Sequence, residues 1–120
     1  MKLRIQDNSV RLRLRRSEVD DLARDGKVEA QAVFSPGSAL RYSLESADGA
    51  APEVTFRDST VRVRVPKQLA EAWAAGDEVG ITGEYLGISI LVERDFQRTN
   101  VKSKIDHDLY PNPRSGGAKT

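Results

Sequence analysis

The sequence predicts a strand-rich α+β fold in which a ββαββ unit occurs twice. Three observations lead to this prediction: runs of alternating apolar and charged residues, two short apolar stripes at helical spacing, and an internal correspondence at an offset of 51 residues. Alternation with a period of two is typical of half-buried strands. Because two short helices cannot cover eight strands, we expect an antiparallel barrel or a strongly curled sheet. A ferredoxin-like core with extra strands is the alternative.

The first half of the chain begins with an expected hairpin. Its strands are the alternating runs Lys2–Gln6 and Val10–Arg15, which flank an Asp-Asn-Ser turn. A helix is expected to begin at Ser17, whose hydroxyl can cap free backbone N–H groups, and to end at Gly26. Two strands follow, at Lys27–Phe34 and around Leu40, Tyr42 and Leu44.

The second half repeats this order after a linker of small residues at Ser46–Pro52. An Asp-Ser turn joins two alternating runs, and Pro66 suits the first turn of a helix that ends at Gly76. The expected strands are Glu53–Arg57, Val61–Val65, a strand with Val79, Ile81 and Tyr85 on one face, and Ile88–Arg94.

The internal correspondence is the most informative feature of the sequence. At an offset of 51 residues, identical residues meet at Asp7, Val10, Arg11, Arg13, Ala23 and Val28. Any two alternating units of this kind would align to some extent, so the shared order of elements carries more weight than the identities. We interpret the chain as two repeats, 2–45 and 53–95, with Trp73 and Phe56 at core positions.

Length and composition limit the function classes. One domain is expected over residues 1–96, followed by a polar extension over 97–120 with a disordered composition at 114–120. A net charge of +1 excludes global basicity as a reason to bind nucleic acid or membrane. The absence of Cys excludes a disulfide scaffold, a thiolate metal site and a Cys nucleophile, and the single His excludes a multi-His metal site. We expect no cofactor.

The sequence carries no recognisable targeting or membrane signal. The N-terminal residues alternate instead of forming an apolar stretch, and no run approaches the ~20 apolar residues of a membrane helix. We therefore expect a cytoplasmic protein of bacterial type that makes no membrane contact.

Arginine on the polar faces of adjacent strands is the one unusual chemical feature. The candidates are Arg4, Arg11, Arg13, Arg41, Arg62 and Arg64. Guanidinium groups bind phosphate or carboxylate through two parallel hydrogen bonds, so the pattern predicts a site for an anionic ligand such as a nucleotide, polyphosphate or an RNA backbone. The alternative is a solvated face in which strand glutamates neutralise the arginines. Those glutamates are Glu29, Glu45, Glu84 and Glu93.

No catalytic or metal-ligating residue is predicted, so a non-catalytic domain is favoured. The sequence lacks a Gly-rich phosphate loop, a G-x-S-x-G motif and an H-E-x-x-H motif. Asp106-His107-Asp108 is interpreted as a solvated loop. Two other functions stay open: a metal-dependent phosphohydrolase that uses Glu84 and Glu93, and a homo-oligomeric interaction module. The latter would use a free strand edge or Leu109–Pro113, so the chain is expected to be a monomer or a homodimer.

Two resemblances add to this interpretation. The segments KLRIQDNSVRLRLRRSEV (2–19), ILVERDF (90–96) and YPNP (110–113) resemble a family of small bacterial proteins of unknown function, which implies no activity. The inferred architecture also resembles the CYTH-like triphosphate-tunnel hydrolases, which have a duplicated unit in an antiparallel barrel. Their N-terminal strand carries Glu-x-Glu-x-Lys, whereas the matching segment here, Lys2–Gln6, contains no glutamate.

Overall fold

A computed structural model describes residues 1–76 and 78–96 of the chain. These residues form β1 (Lys2–Gln6), β2 (Ser9–Leu14), α1 (Arg16–Asp25), β3 (Lys27–Ser35), β4 (Ser38–Ala47), β5 (Glu53–Arg57), β6 (Thr60–Pro66), α2 (Lys67–Ala74), β7 (Gly80–Tyr85) and β8 (Ile88–Arg94). The expected strand-rich α+β class with two short helices is confirmed. Neither described helix is long and apolar enough to cross a membrane. The expectations for 97–120 lie outside the described residues.

The strands form two four-stranded sheets, so the prediction of an antiparallel barrel was wrong. Sheet A has the order β1-β2-β8-β7 and sheet B the order β3-β4-β6-β5. In each sheet, two antiparallel hairpins are joined through a parallel pair, β2 with β8 and β4 with β6. Alternation determines which face of a strand is buried but not which hairpins pair. Each hairpin here pairs with one from the other half of the chain.

The two sheets correspond in strand order and register. Each sheet combines the N-terminal hairpin of one half with the C-terminal hairpin of the other. Arg13 lies opposite Glu93 across the central pair of sheet A, and Arg64 lies opposite Glu45 across that of sheet B. Equivalent positions on the central strands of the two sheets therefore carry the same kinds of charge.

One apolar cluster joins the inner faces of both sheets to the two helices. Trp73 of α2 is 0% exposed, and its indole N–H donates to the Val79 carbonyl at 3.3 Å. The core position expected for Trp73 is thus confirmed. The core position expected for Phe56 was wrong, since Phe56 is 68% exposed. It lies closer to the hairpin turn of β5 than Val54, which is buried on the same face.

The strand β7 begins later than the offset of 51 predicts. Val79 precedes β7 and is 86% exposed, so its expected place on the inner face was wrong. Ile81 pairs with Val92 just as Val28 pairs with Leu44. Ile81 is therefore the counterpart of Val28, and the second half carries two extra residues between its helix and its third strand.

The sheets approach each other more closely along one pair of edges than along the other. β5 lies beside β7, and a Cβ on Gly83 would fall 2.7 Å from the Pro52 ring. The equivalent pair, β1 and β3, makes no comparable contact among the described residues. There the Tyr42 hydroxyl donates to the Met1 carbonyl at 3.1 Å. The edge of β3 is consequently more open than the equivalent edge of β7.

Candidate anion-binding surface

The six candidate arginines lie on two separate surfaces. The apolar residues of β2 and β6 face the core, so the arginines that alternate with them face outward. Sheet A carries Arg4, Arg11 and Arg13 on its outer face, and sheet B carries Arg41, Arg62 and Arg64. Because the sheets share one core, their outer faces point away from each other. The two sets therefore do not converge in one cavity.

On sheet A, one carboxylate lies between two arginines. Glu93, on the parallel neighbour of β2, lies 2.8 Å from Arg13 Nε and 3.5 Å from Arg11 Nε. At the same end of the sheet, Lys2 lies 3.1 Å from Asp95. The hydrogen bond from Lys2 holds the pKa of Asp95 below its usual value. Among the three candidate arginines of sheet A, Arg13 has the shortest contact with a carboxylate, at 2.8 Å from Glu93.

On sheet B, Glu45 has the corresponding place. Its carboxylate lies 3.1 Å from Arg62 Nε, 3.5 Å from Arg64 Nε and 3.9 Å from Lys27 Nζ. The buried Ser43 hydroxyl also donates to it at 3.3 Å. Neutralisation of arginines by strand glutamates is thus confirmed for Glu45 and for Glu93 of sheet A.

The other two glutamates that the sequence indicated do not pair with these arginines. Glu29 lies 3.9 Å from Lys27. Glu84 makes no ion pair within the described part of the chain. Within residues 1–76 and 78–96, only the two carboxylates on the central strands β4 and β8 are placed to neutralise the arginines of β2 and β6.

Arg4 differs from the other sheet A arginines. Its direct cross-strand partner on β2 is Arg11, and among residues 1–76 and 78–96 no carboxylate lies within ion-pair distance of Arg4. Like charges placed directly opposite each other destabilise a sheet. Arg4, Gln6, Ser9 and Arg11 line a shallow depression of about 80 Å³. Its lining is entirely polar and carries two guanidinium groups, which suits an oxyanion group.

Arg41 occupies a different setting on sheet B. It is exposed and borders an open depression of about 460 Å³ together with Glu29, Ala30 and Gln31. Arg57, which the sequence analysis did not single out, lies two strands away on the same outer face, with Thr60 between them.

Sequence reasoning missed Gln6, Ser9 and Arg57 as residues of these surfaces. The candidate set contained six arginines from polar strand faces, so it left out the uncharged Gln6 and Ser9, and it did not include Arg57, which occupies the position of Gln6 in the other sheet. The alternation along β1 places Gln6 on the same outer face as Arg4, and this pattern was the sequence signal that could have identified Gln6 as a hydrogen-bond donor of this surface.

The carboxylates proposed for a phosphohydrolase are not brought together. Glu84 pairs with Ser89, and Glu93 lies four residues further along β8, which corresponds to about 13 Å along a strand. Within residues 1–76 and 78–96, no three His, Cys, Asp or Glu residues are grouped so that they could hold a metal ion. Glu93 is also engaged by two arginines. This geometry gives no support to the tunnel-type hydrolase interpretation.

The chain belongs to a family of unknown function, DUF7009, whose model matches residues 1–114. The resemblance to an uncharacterised family is thereby confirmed, and the match continues beyond β8 into the C-terminal extension. The resemblance to CYTH-like proteins receives no support from the comparisons. No curated protein and no solved structure matches the chain significantly.

Proposed function

We propose that this domain binds an anionic ligand on the outer face of sheet A, and that the group it recognises is a single phosphate-type oxyanion. The observation that carries the proposal is the pair Arg4 and Arg11. The two are direct cross-strand neighbours, and they line a depression with the polar side chains of Gln6 and Ser9. A bound anion would relieve the repulsion between the two guanidinium groups and accept their hydrogen bonds.

Three of the other four candidate arginines have carboxylate partners within the protein, whereas Arg41 makes no ion pair among the described residues and borders a wide depression that also contains Glu29. Arg13 and Arg62 lie at 2.8 and 3.1 Å from their glutamates, and Arg64 lies at 3.5 Å from the same carboxylate as Arg62. Arg11 shares Glu93 only at 3.5 Å, so its remaining N–H groups are available to a ligand. The proposed site is accordingly narrower than the set of six arginines that the sequence indicated.

The open shape of the depression favours a chain of phosphates over a compact ligand. Its four lining residues are polar, and they include no aromatic or apolar wall against which a base could pack. A polyphosphate or an RNA backbone offers one oxyanion at a time to such a surface. Binding through exposed cations is expected to weaken with added salt.

The test is a titration with three probes: inorganic phosphate, inorganic triphosphate and an RNA homopolymer. NMR signals of the arginine Nε–H groups report which side chains respond. We expect saturable shifts at Arg4 and Arg11, and about tenfold weaker binding for Arg4→Gln, because a hydrogen bond to a charged group contributes ~1.5 kcal/mol. Arg57→Gln is the matched control, since it alters an exposed arginine at the corresponding edge of sheet B.

Equal weakening by Arg4→Gln and Arg57→Gln would show only general attraction to positive charge and would overturn the proposal. Unchanged affinity in Arg4→Gln would overturn it as well. Tighter binding of triphosphate than of phosphate, with no binding of RNA, would identify polyphosphate as the ligand. The reverse preference would identify the nucleic-acid backbone.

We also infer that the two ββαββ halves descend from one duplicated unit. Support comes from the shared strand order and register of the two sheets. Matching backbone hydrogen bonds run from Ser89 N–H to the Asn8 carbonyl at 2.8 Å and from Arg41 N–H to the Ser59 carbonyl at 2.9 Å. Under this interpretation, Arg4 is a difference acquired by one copy of the unit.

A further inference from the structure

The outer edge of β3 is the least protected strand edge in the described part of the chain. Natural proteins protect edge strands with charge, proline, short length or a covering element. β5 and β7 lie beside each other, and β1 has five residues, of which Lys2 and Arg4 are basic. β3 has nine residues, and its charges are confined to Lys27 and Glu29. Its register with β4 shifts only between Val33 and Ser35.

The second half of β3 also exposes large apolar side chains. Val33 is 63% exposed and Phe34 is 75% exposed, although both belong to the strand. Consecutive strand residues point to opposite faces of a sheet, so one neighbouring strand would cover part of both side chains. The exposed pair thus provides apolar surface that a strand added along this edge would partly cover.

We propose that β3 pairs antiparallel with β3 of a second copy of this chain, about a two-fold axis at Gln31. The two copies of sheet B would then form one continuous eight-stranded sheet. In this register Gln31 faces its own counterpart, Glu29 faces Val33, and Val28 faces Phe34. No two like charges lie opposite each other, and the exposed apolar side chains gain cross-strand neighbours.

Charge complementarity selects β3 over β1 for this self-association. A two-fold axis at the centre of β1 would place Arg4 directly opposite Arg4 of the second copy, which is unfavourable. At β3 the central residue is uncharged, and the charged residues face uncharged ones. The proposal rests on the β3 edge alone and is independent of anion binding on sheet A.

The first test measures the mass of the full chain by size-exclusion chromatography with light scattering over a concentration series. We expect a mass of twice 13.3 kDa for the wild type. Val33→Glu and Gln31→Lys should be monomers, because Val33→Glu places a carboxylate opposite Glu29 and Gln31→Lys places two lysines opposite each other, and both positions are exposed. Thr82→Lys, at an exposed position of the covered edge strand β7, should remain a dimer. The fluorescence of Trp73 verifies that each variant is folded.

A second test uses the absence of cysteine from the chain. Directly opposite residues of an antiparallel pair have Cα atoms about 4.5–5.5 Å apart, within the ~4.4–6.8 Å that a disulfide spans. Gln31→Cys should therefore form a covalent dimer on mild oxidation, whereas Thr82→Cys should not.

A wild type that is monomeric at every concentration would overturn the proposal, and hydrogen exchange would then give the reason. Fast exchange of the β3 amides would mean that the edge is hydrated. Slow exchange in the monomer would mean that another part of the same chain covers it. Equal cross-linking of Gln31→Cys and Thr82→Cys would likewise contradict the two-fold pairing.

Discussion

Sheets A and B have the same charge arrangement at their centres and different residues at their margins. Glu93 lies between Arg11 and Arg13 in sheet A, and Glu45 lies between Arg62 and Arg64 in sheet B. At the margins the correspondence ends. Arg4 on β1 stands where Thr55 stands on β5, since each lies opposite an arginine of its own hairpin. The edge of β3 is open where that of β7 is covered.

This difference distinguishes charged side chains that pair with each other inside the protein from charged side chains that remain accessible to a ligand. A glutamate shared by two arginines recurs in both sheets, so its simplest role is to join the two hairpins of each sheet across the parallel pair. Among the strands that the structure describes, a cross-strand pair of arginines occurs only in sheet A, and the open long edge occurs only in sheet B. We therefore assign the shared features to stability, whereas the features found in one sheet are those on which the two proposals depend.

The largest expected effect comes from enlarging equivalent positions beside the two pairs of edges. Gly83 and Ala30 correspond because Gly83 pairs with Ile90 as Ala30 pairs with Tyr42. Gly83→Ala forces a Cβ against the rigid, buried ring of Pro52, and overpacking of this kind costs about 1–3 kcal/mol. Ala30→Val adds volume beside an open edge, so we expect a change below about 0.5 kcal/mol. Urea unfolding of both variants measures the difference.

Thr82→Ala provides a control for the effect of substitution on β7 itself, because Thr82 is exposed on the same strand. A neutral or stabilising Gly83→Ala would show that β5 and β7 are not tightly packed. The two sheets would then be equally open at both pairs of edges, and the contrast between them would disappear.

The sequence predicted which face of each strand is buried better than it predicted which strands lie next to each other. A period of two placed Arg11 and Arg62 outside and Leu12 and Val63 inside, as found. The parallel pairing of β2 with β8 was not predictable, because alternation looks the same for every partner strand. Which glutamate neutralises which arginine depends on that pairing. The two extra residues before β7 could not be recognised from the alternation, because an insertion of two residues leaves the same pattern of inward and outward side chains.

The second contrast concerns the two shared glutamates. Glu45 lies near three cations and a buried hydroxyl, whereas Glu93 lies near two cations and is more exposed. Either substitution to Gln leaves two arginines that repel each other across the surface of a sheet. We expect Glu45→Gln to lower the free energy of unfolding by about 1–2 kcal/mol and Glu93→Gln by about 0.5–1 kcal/mol. Urea unfolding at low and high salt tests this order.

The matched variant is Glu84→Gln, which changes an exposed strand glutamate outside the ion pairs of the described residues and should have almost no effect. Both losses should shrink in high salt, since screening weakens half-exposed ion pairs. If Glu93→Gln costs more than Glu45→Gln, the number of neighbouring cations does not determine the contribution. The central charge clusters of the two sheets would then differ as well.

The smallest expected effect distinguishes the two helices by their response to acid. Burial alone would raise the pKa of Glu18, but hydrogen bonds from the N-terminal ammonium group and the Arg15 backbone N–H outweigh it and lower the pKa below its usual value. The first turn of α2 has no acidic residue. A lowered pKa in the folded state stabilises the protein above the pKa of the unfolded chain, and this stabilisation is lost as the pH falls through the folded pKa.

Glu18→Gln should therefore cost about 0.5–1 kcal/mol near neutral pH and almost nothing in acid. Unfolding measured across this pH range should show a flatter acid limb for Glu18→Gln than for Asp20→Asn, at an exposed position of α1. Parallel acid limbs for the two variants would show that Glu18 does not give α1 a pH dependence that α2 lacks.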